Sequence, residues 1–119
     1  MKIILQILEL DLRHTFSQSF CTAWTNQTRA IFKLDKKQSS TAIETFCNVN
    51  QPLALVIGAY GVRDLDGEDI YHPCGSCVVD MSKVDENTVS AFVTDLLDHS
   101  SSQPVVGKIH FNVKYVFYI

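Results

Sequence analysis

At 119 residues, with a formal charge of −3 and a pI near 5.7, the chain has the length of one domain, residues 1–119, and the wrong sign for general attraction to nucleic acid. A composition of 46% hydrophobic and 19% charged residues is that of an ordinary globular chain able to bury a core unaided. Four cysteines, Cys21, Cys47, Cys74 and Cys77, are too few and too scattered for a disulfide scaffold.

The chain opens on MKIILQILELDLRH, where Lys2 precedes an apolar run. Gln6, Glu9 and Asp11 interrupt it and no small-residue cleavage site follows, so it reads as a strand rather than a signal peptide. Ile3, Leu5 and Ile7 alternate with Ile4, Gln6 and Leu8, which predicts burial on both faces. No stretch has the length and apolarity of a membrane span, and the chain reads as cytosolic. In that compartment the Asn26-Gln27-Thr28 triplet carries no glycosylation argument.

Further strands are predicted over Phe20–Thr25, Thr28–Leu34, Ala42–Val49, Leu53–Val62 and Gly75–Met81. Polar turn segments separate them: Thr25-Asn26-Gln27, DKKQSST, Asn50-Gln51-Pro52 and DLDGEDIYHPCGSC, from Asp64 to Cys77. Val89, Phe92, Val93, Leu96 and Leu97 recur at helical spacing, with Asp85 and Asn87 as upstream caps, so a short helix is expected between Val84 and Leu97. HSSSQP then connects to the closing strand. There Ile109, Phe111, Val113, Tyr115, Phe117 and Ile119 alternate with Lys108, His110, Asn112 and Lys114. Its last residues, Val116 and Tyr118, add apolar surface to the second face, which suggests a covered strand end or a chain that continues in a longer protein. Seven to eight strands with short polar turns point to an antiparallel β-sandwich. Its expected core is Ile3, Leu5, Ile7, Leu55, Ile57, Phe111, Val113 and Tyr115.

In order and spacing these segments resemble the C2 domain superfamily. IILQILELDL is similar to the opening strand of that fold. ETFCNVNQPLALVIGAY looks like its central pattern, Gly75-Ser76-Cys77-Val78-Val79-Asp80 like a later strand, and VVGKIHFNVKYVF like the closing one. YGVRDLDGEDIYHPCG is also similar to the corresponding loop of B9-type C2-like domains of ciliary-base proteins. The resemblance implies a non-enzymatic binding module, peripheral to a membrane or to cytoskeletal or ciliary structures.

C2 domains that bind calcium take Asp ligands from two loops, and a calcium ion needs six to eight oxygens. Asp11 is the sole carboxylate of the first such loop here; Gln18-Ser19-Phe20 stands where the family has Asp before Pro-Tyr. In the second loop, a register anchored on Tyr60 puts Gly61, Arg63 and Asp69 at the ligand positions, and one anchored on Gly75 puts Asp64, Asp66 and His72 there. Asp11, Asp64, Asp66 and Asp69 are therefore the calcium candidates, and the expectation is a solvated acidic turn around Gly67 with no tight site.

Cys74 and Cys77 form a C-x-x-C without a second pair for zinc, and the residues after it read as a strand where a redox motif needs a helix. His72 is the one nearby third ligand. The scattered histidines His14, His72, His99 and His110 have no nucleophile placed beside them by a recognisable motif, so no catalysis is expected. Arg29, Lys33, Lys36 and Lys37 cluster around one predicted strand and its turn, where each cation would add about 1 kcal/mol near an anionic bilayer. Asp35 and Glu44 dilute that patch. With Phe16 and Phe20, these four cations are the candidate contacts for a lipid or protein partner. The reading is a calcium-independent assembly module that engages a protein and needs no cofactor. Its competitors are a phospholipid-docking domain using Asp11–Phe20 and Asp64–His72, and a zinc or thiol-redox protein centred on Cys74 and Cys77.

Overall fold

Period-two alternation dominates the structure, a computed structural model that describes residues 1–28, 30–45, 52–100 and 102–117. The strands are β1 (Lys2–Leu12), β2 (Gln18–Thr25), β3 (Phe32–Leu34), β4 (Ser40–Glu44), β5 (Ala54–Leu65), β6 (Glu68–Asp80), β7 (Ser90–Leu97) and β8 (Val105–Val116). They hydrogen-bond in the order β3-β2-β5-β6-β7-β8-β1-β4, each strand antiparallel to its neighbours. Between β6 and β7 the register holds one pair, Ser76 with Leu97. There the ladder folds back, and β3-β2-β5-β6 faces β7-β8-β1-β4 across a shared core, the β-sandwich that the alternation predicts.

Six of the eight expected core residues, Ile3, Leu5, Leu55, Ile57, Phe111 and Val113, have no exposed surface, and Ile7 and Tyr115 pack against them half-buried. Leu34, Ile43, Leu96 and Ile109 complete the centre. The closing strand alternates as the sequence implies, with Ile109, Phe111 and Val113 inside.

Four expectations need correction. No helix lies between Val84 and Leu97: that segment carries β7, and the helical piece is a single 3-10 turn at Met81–Lys83, capped by Asp80 accepting from the Ser82 N–H. The helical spacing mixes two faces, since Phe92 and Leu96 point inward while Val89 and Val93 are 59% and 68% exposed. Strand β8 offers that segment a complete row of backbone partners from Ser90↔Val113 to Leu97↔Val105, which outweighs a weak helical pattern.

Strand β1 is buried on one face, not two, for Ile4 and Leu8 are exposed. Leu8 is the extra residue of a bulge against β8, between the pairs Ile7↔Phe111 and Glu9↔His110. The bulge moves the inward phase from Ile3, Leu5 and Ile7 to Leu10 and Leu12, so the apolar run covers one face in two registers.

The predicted strand Thr28–Leu34 shrinks to β3, with Arg29 outside the described residues. Of Ala42–Val49, the part from Phe46 onward also lies outside them, and β4 occupies Ser40–Glu44. Finally, Asp64–Cys74 is not a polar loop. β5 and β6 run through it, and only Asp66 and Gly67 at the turn and Cys74 and Gly75 at a bulge have no partner in their ladder.

Candidate functional site

Because successive strands alternate in direction, the turns after β1, β3, β5 and β7 gather at one end of the sandwich. The Arg13 N–H donates to the Val106 carbonyl at 2.9 Å, and the Arg13 guanidinium to Gln103 at 2.9 Å, tying the first turn to the last. On the other side, both the Ser17 N–H and the Ser17 hydroxyl donate to the Val62 carbonyl. Phe16 sits between, against Gly61, where any Cβ would strike its ring. The His72 ring lies 5.9 Å from it and the Arg63 guanidinium 5.1 Å over its face. Phe16 is thus a half-buried brace among the turns.

The acidic candidates lie on the β5–β6 hairpin and on β1. Asp66 and Gly67 both take positive φ, 55° and 84°, the geometry of a two-residue type I′ turn that Asp-Gly favours. Asp64 accepts the Gly67 N–H at 3.0 Å and pairs across the ladder with Asp69. Asp11 stands on β1 opposite Lys108. Asp64 and Asp66 therefore belong to the turn, Asp69 is set opposite Asp64 by the register, and Asp11 faces a cation. Among the described residues, no three His, Cys, Asp or Glu side chains converge closely enough to share a metal ion.

The thiols follow burial. Cys21 is pushed up to about 12 by burial and by nearby Cys77, and burial alone takes Cys77 to about 11. Cys74 is raised too, mainly by burial, against the opposing pull of the Gly61 backbone and Arg63. A thiol held above its ordinary pKa carries little thiolate at neutral pH, the reverse of the setting of a reactive redox thiol. Cys74 donates to the His72 carbonyl at 3.2 Å, while the His72 Nε2 is buried without a hydrogen-bond partner. The pair straddles a bulge at Cys74 and Gly75, with Gly75 at φ 101° pressed against Val106 and the Leu97 carbonyl. All three thiols are free; Cys47 lies outside the described residues.

The cationic candidates separate into two groups. Lys36 and Lys37 are exposed on the β3–β4 turn, where Asp35 accepts the N–H groups of Lys37 and Gln38 at 2.9 and 2.8 Å. Those bonds, the Gln38 one first, hold the exposed Asp35 carboxyl below its usual range, so a fixed negative charge sits beside both lysines. Lys33 instead lies on the outer face of β3, its ammonium 4.6 Å over the Phe20 ring.

Phe20 opens onto a feature that the sequence reading missed. It stacks on Tyr60, its direct partner across β2 and β5, at 5.1 Å and 8° between planes. Tyr71 meets its edge at 5.9 Å and is 57% exposed. Inward-facing Cys21, Ala23, Leu55 and Ile57 put this aromatic row on the opposite, solvent side of the sheet. Tyr71 was legible as an outward residue only if Asp64–Cys74 was read as two paired strands.

The structure superposes on a C2 domain, domain A, of plant extended synaptotagmin 1 with a TM-score of 0.75, covering 99% of this chain and 95% of that one at 11% sequence identity. The fold is that of a C2 domain. No protein-family model matches the chain, and no curated protein matches its sequence. No helix among the described residues is long and apolar enough to cross a membrane.

Proposed function

We propose that residues 1–119 form one C2-type binding module, not an enzyme, that engages a protein partner without calcium. The observation that carries this reading is the outer face of β3-β2-β5-β6, where Phe20, Tyr60 and Tyr71 lie side by side under Lys33. Contiguous aromatics with a polar edge give large contact area at low entropy cost, which suits protein recognition. Val78, 64% exposed on the same outer face, extends the apolar surface along β6. Calcium independence is supported by the carboxylates: Asp64 serves the turn and Asp11 faces Lys108, leaving few charged oxygens for one ion.

One observation favours membrane docking instead: Leu65, at the hairpin tip beside Arg63, is 57% exposed. Pull-down from native lysate with the parent, Tyr71→Ala and Leu65→Ala, alongside co-sedimentation with anionic liposomes with and without calcium, separates the two. The protein reading expects a partner lost with Tyr71→Ala and liposome binding near background. Calcium-promoted sedimentation that Leu65→Ala removes would instead establish the membrane reading.

A further inference from the structure

We propose that the open edge of β7 is a strand-addition site for an extended segment of another protein, apolar in its middle and basic at both ends. It goes beyond the aromatic face and can fail without it, because Val93 belongs to the opposite layer of the sandwich.

Among the described residues, four strands of the sandwich have a free or partly free edge, and three of them are guarded. β3 has three residues and β4 five, too short to template a partner. The outer edge of β6 begins with Glu68 and Asp69, loses a donor at Pro73 and is kinked by the bulge at Cys74 and Gly75. β7 has none of these devices. From Ser90 to Asp95 it pairs regularly with β8 and contains no Pro, no Lys and no bulge. Its one ladder pair with β6 is Ser76↔Leu97, so alternate residues between Ser90 and Asp95 direct both backbone groups away from β8 with no ladder partner in β6. Val89 and Val93 are 59% and 68% exposed, with Ala91 exposed between them, so the side chains flanking these groups are apolar and accessible.

Charge selects the occupant. Exposed Asp85 and Glu86 precede β7, exposed Asp95 lies near its end, and Asp98 follows it. Lys83 offsets part of the first pair, and Lys108 opposes Asp95 from the β8 side, away from the open edge. A second copy of β7 fits poorly: antiparallel pairing sets the Asp85–Glu86 end against the Asp95–Asp98 end, and parallel pairing sets each acidic end against itself. A segment with Lys or Arg beyond both ends of an alternating apolar centre meets both acidic ends and completes the ladder through its main chain.

The test uses a short fluorescein-labelled peptide of alternating Val and Thr with Arg and Lys at each end, measured by fluorescence polarisation against the full chain. Binding should weaken about tenfold or more when the terminal cations become Glu, and should also weaken as salt rises. N-methylation of alternate peptide nitrogens should abolish it, as should Val93→Lys, which leaves the melting temperature unchanged and the aromatic face intact. No binding of the basic peptide, or equal binding of its N-methylated form, overturns the proposal. So does sedimentation showing a dimer that Val93→Lys dissolves, because the edge would then take a second copy.

Discussion

The turn at Leu65–Glu68 and strand β7 show how differently neighbouring parts of one sheet acquire their shape. The turn is local: Asp66 and Gly67 adopt positive φ, Asp64 caps the Gly67 N–H, and both flanking strands follow from four consecutive residues. β7 has no such local instruction, since its apolar residues fit a helix as well as a strand. Its conformation comes from β8, which supplies a register of pairs, and from Phe111, on which Phe92 stacks at 5.2 Å. Gly75 joins the two regions, because the bulge it permits lets β6 pass against Leu97.

The sharpest way to break this comparison is at its support. Val113 has no exposed surface and lies between Leu5 of β1 and Ser90 of β7. Val113→Asp leaves a lone buried carboxylate and should cost about 3–5 kcal/mol in denaturant unfolding. Melting like the parent would show that the β8 register is wrong.

Gly75→Ala tests the joint. Its φ of 101° is costly for alanine, and the new Cβ would lie 2.6 Å from Val106 Cγ2 and 2.9 Å from the Leu97 carbonyl oxygen. The expected loss is about 3 kcal/mol, at the upper end for a strained position. Within β7 itself, Phe92→Ala should cost about 2 kcal/mol through its lost packing on Phe111, and Val93→Ala less than about 0.5 kcal/mol. Equal losses would indicate a helix with both residues buried, and β7 would have to be redrawn.

A smaller effect is expected at the turn. Gly67→Ala finds open space but keeps φ near 84°, so the loss should be about 1 kcal/mol by thermal melting, with the fold retained. The smallest concerns calcium: millimolar ion should barely move the melting temperature, and calorimetry should find no micromolar site. A micromolar site lost in Asp64→Asn/Asp66→Asn would move the hairpin from a structural to a ligand-binding role.

Much of this architecture was legible in the residues. Alternation in GKIHFNVKYVF identified β8 and its inward face, and the order of segments pointed to the sandwich. Asp-Gly carried its own turn, although reading the surrounding polar residues as a loop hid the paired strands and put Tyr71 out of sight. The chain's candidate cations were visible as a cluster, but their division between an acidic turn and an aromatic face was not. That division depends on where β3 ends, at Leu34, and on the pairing with β2 that sets Lys33 on the outer face.

Local chemistry is enough where a conformation is selected by one or two residues, as at Asp66 and Gly67, or where period two is sustained along a whole strand, as in β8. Tertiary structure decided the rest. The bulge at Leu8 exists because β8 must keep its partners while β1 changes its inward phase. β7 became a strand because the free backbone groups of β8 needed pairing and Phe111 offered a ring to cover, and neither requirement is written within Val84–Leu97.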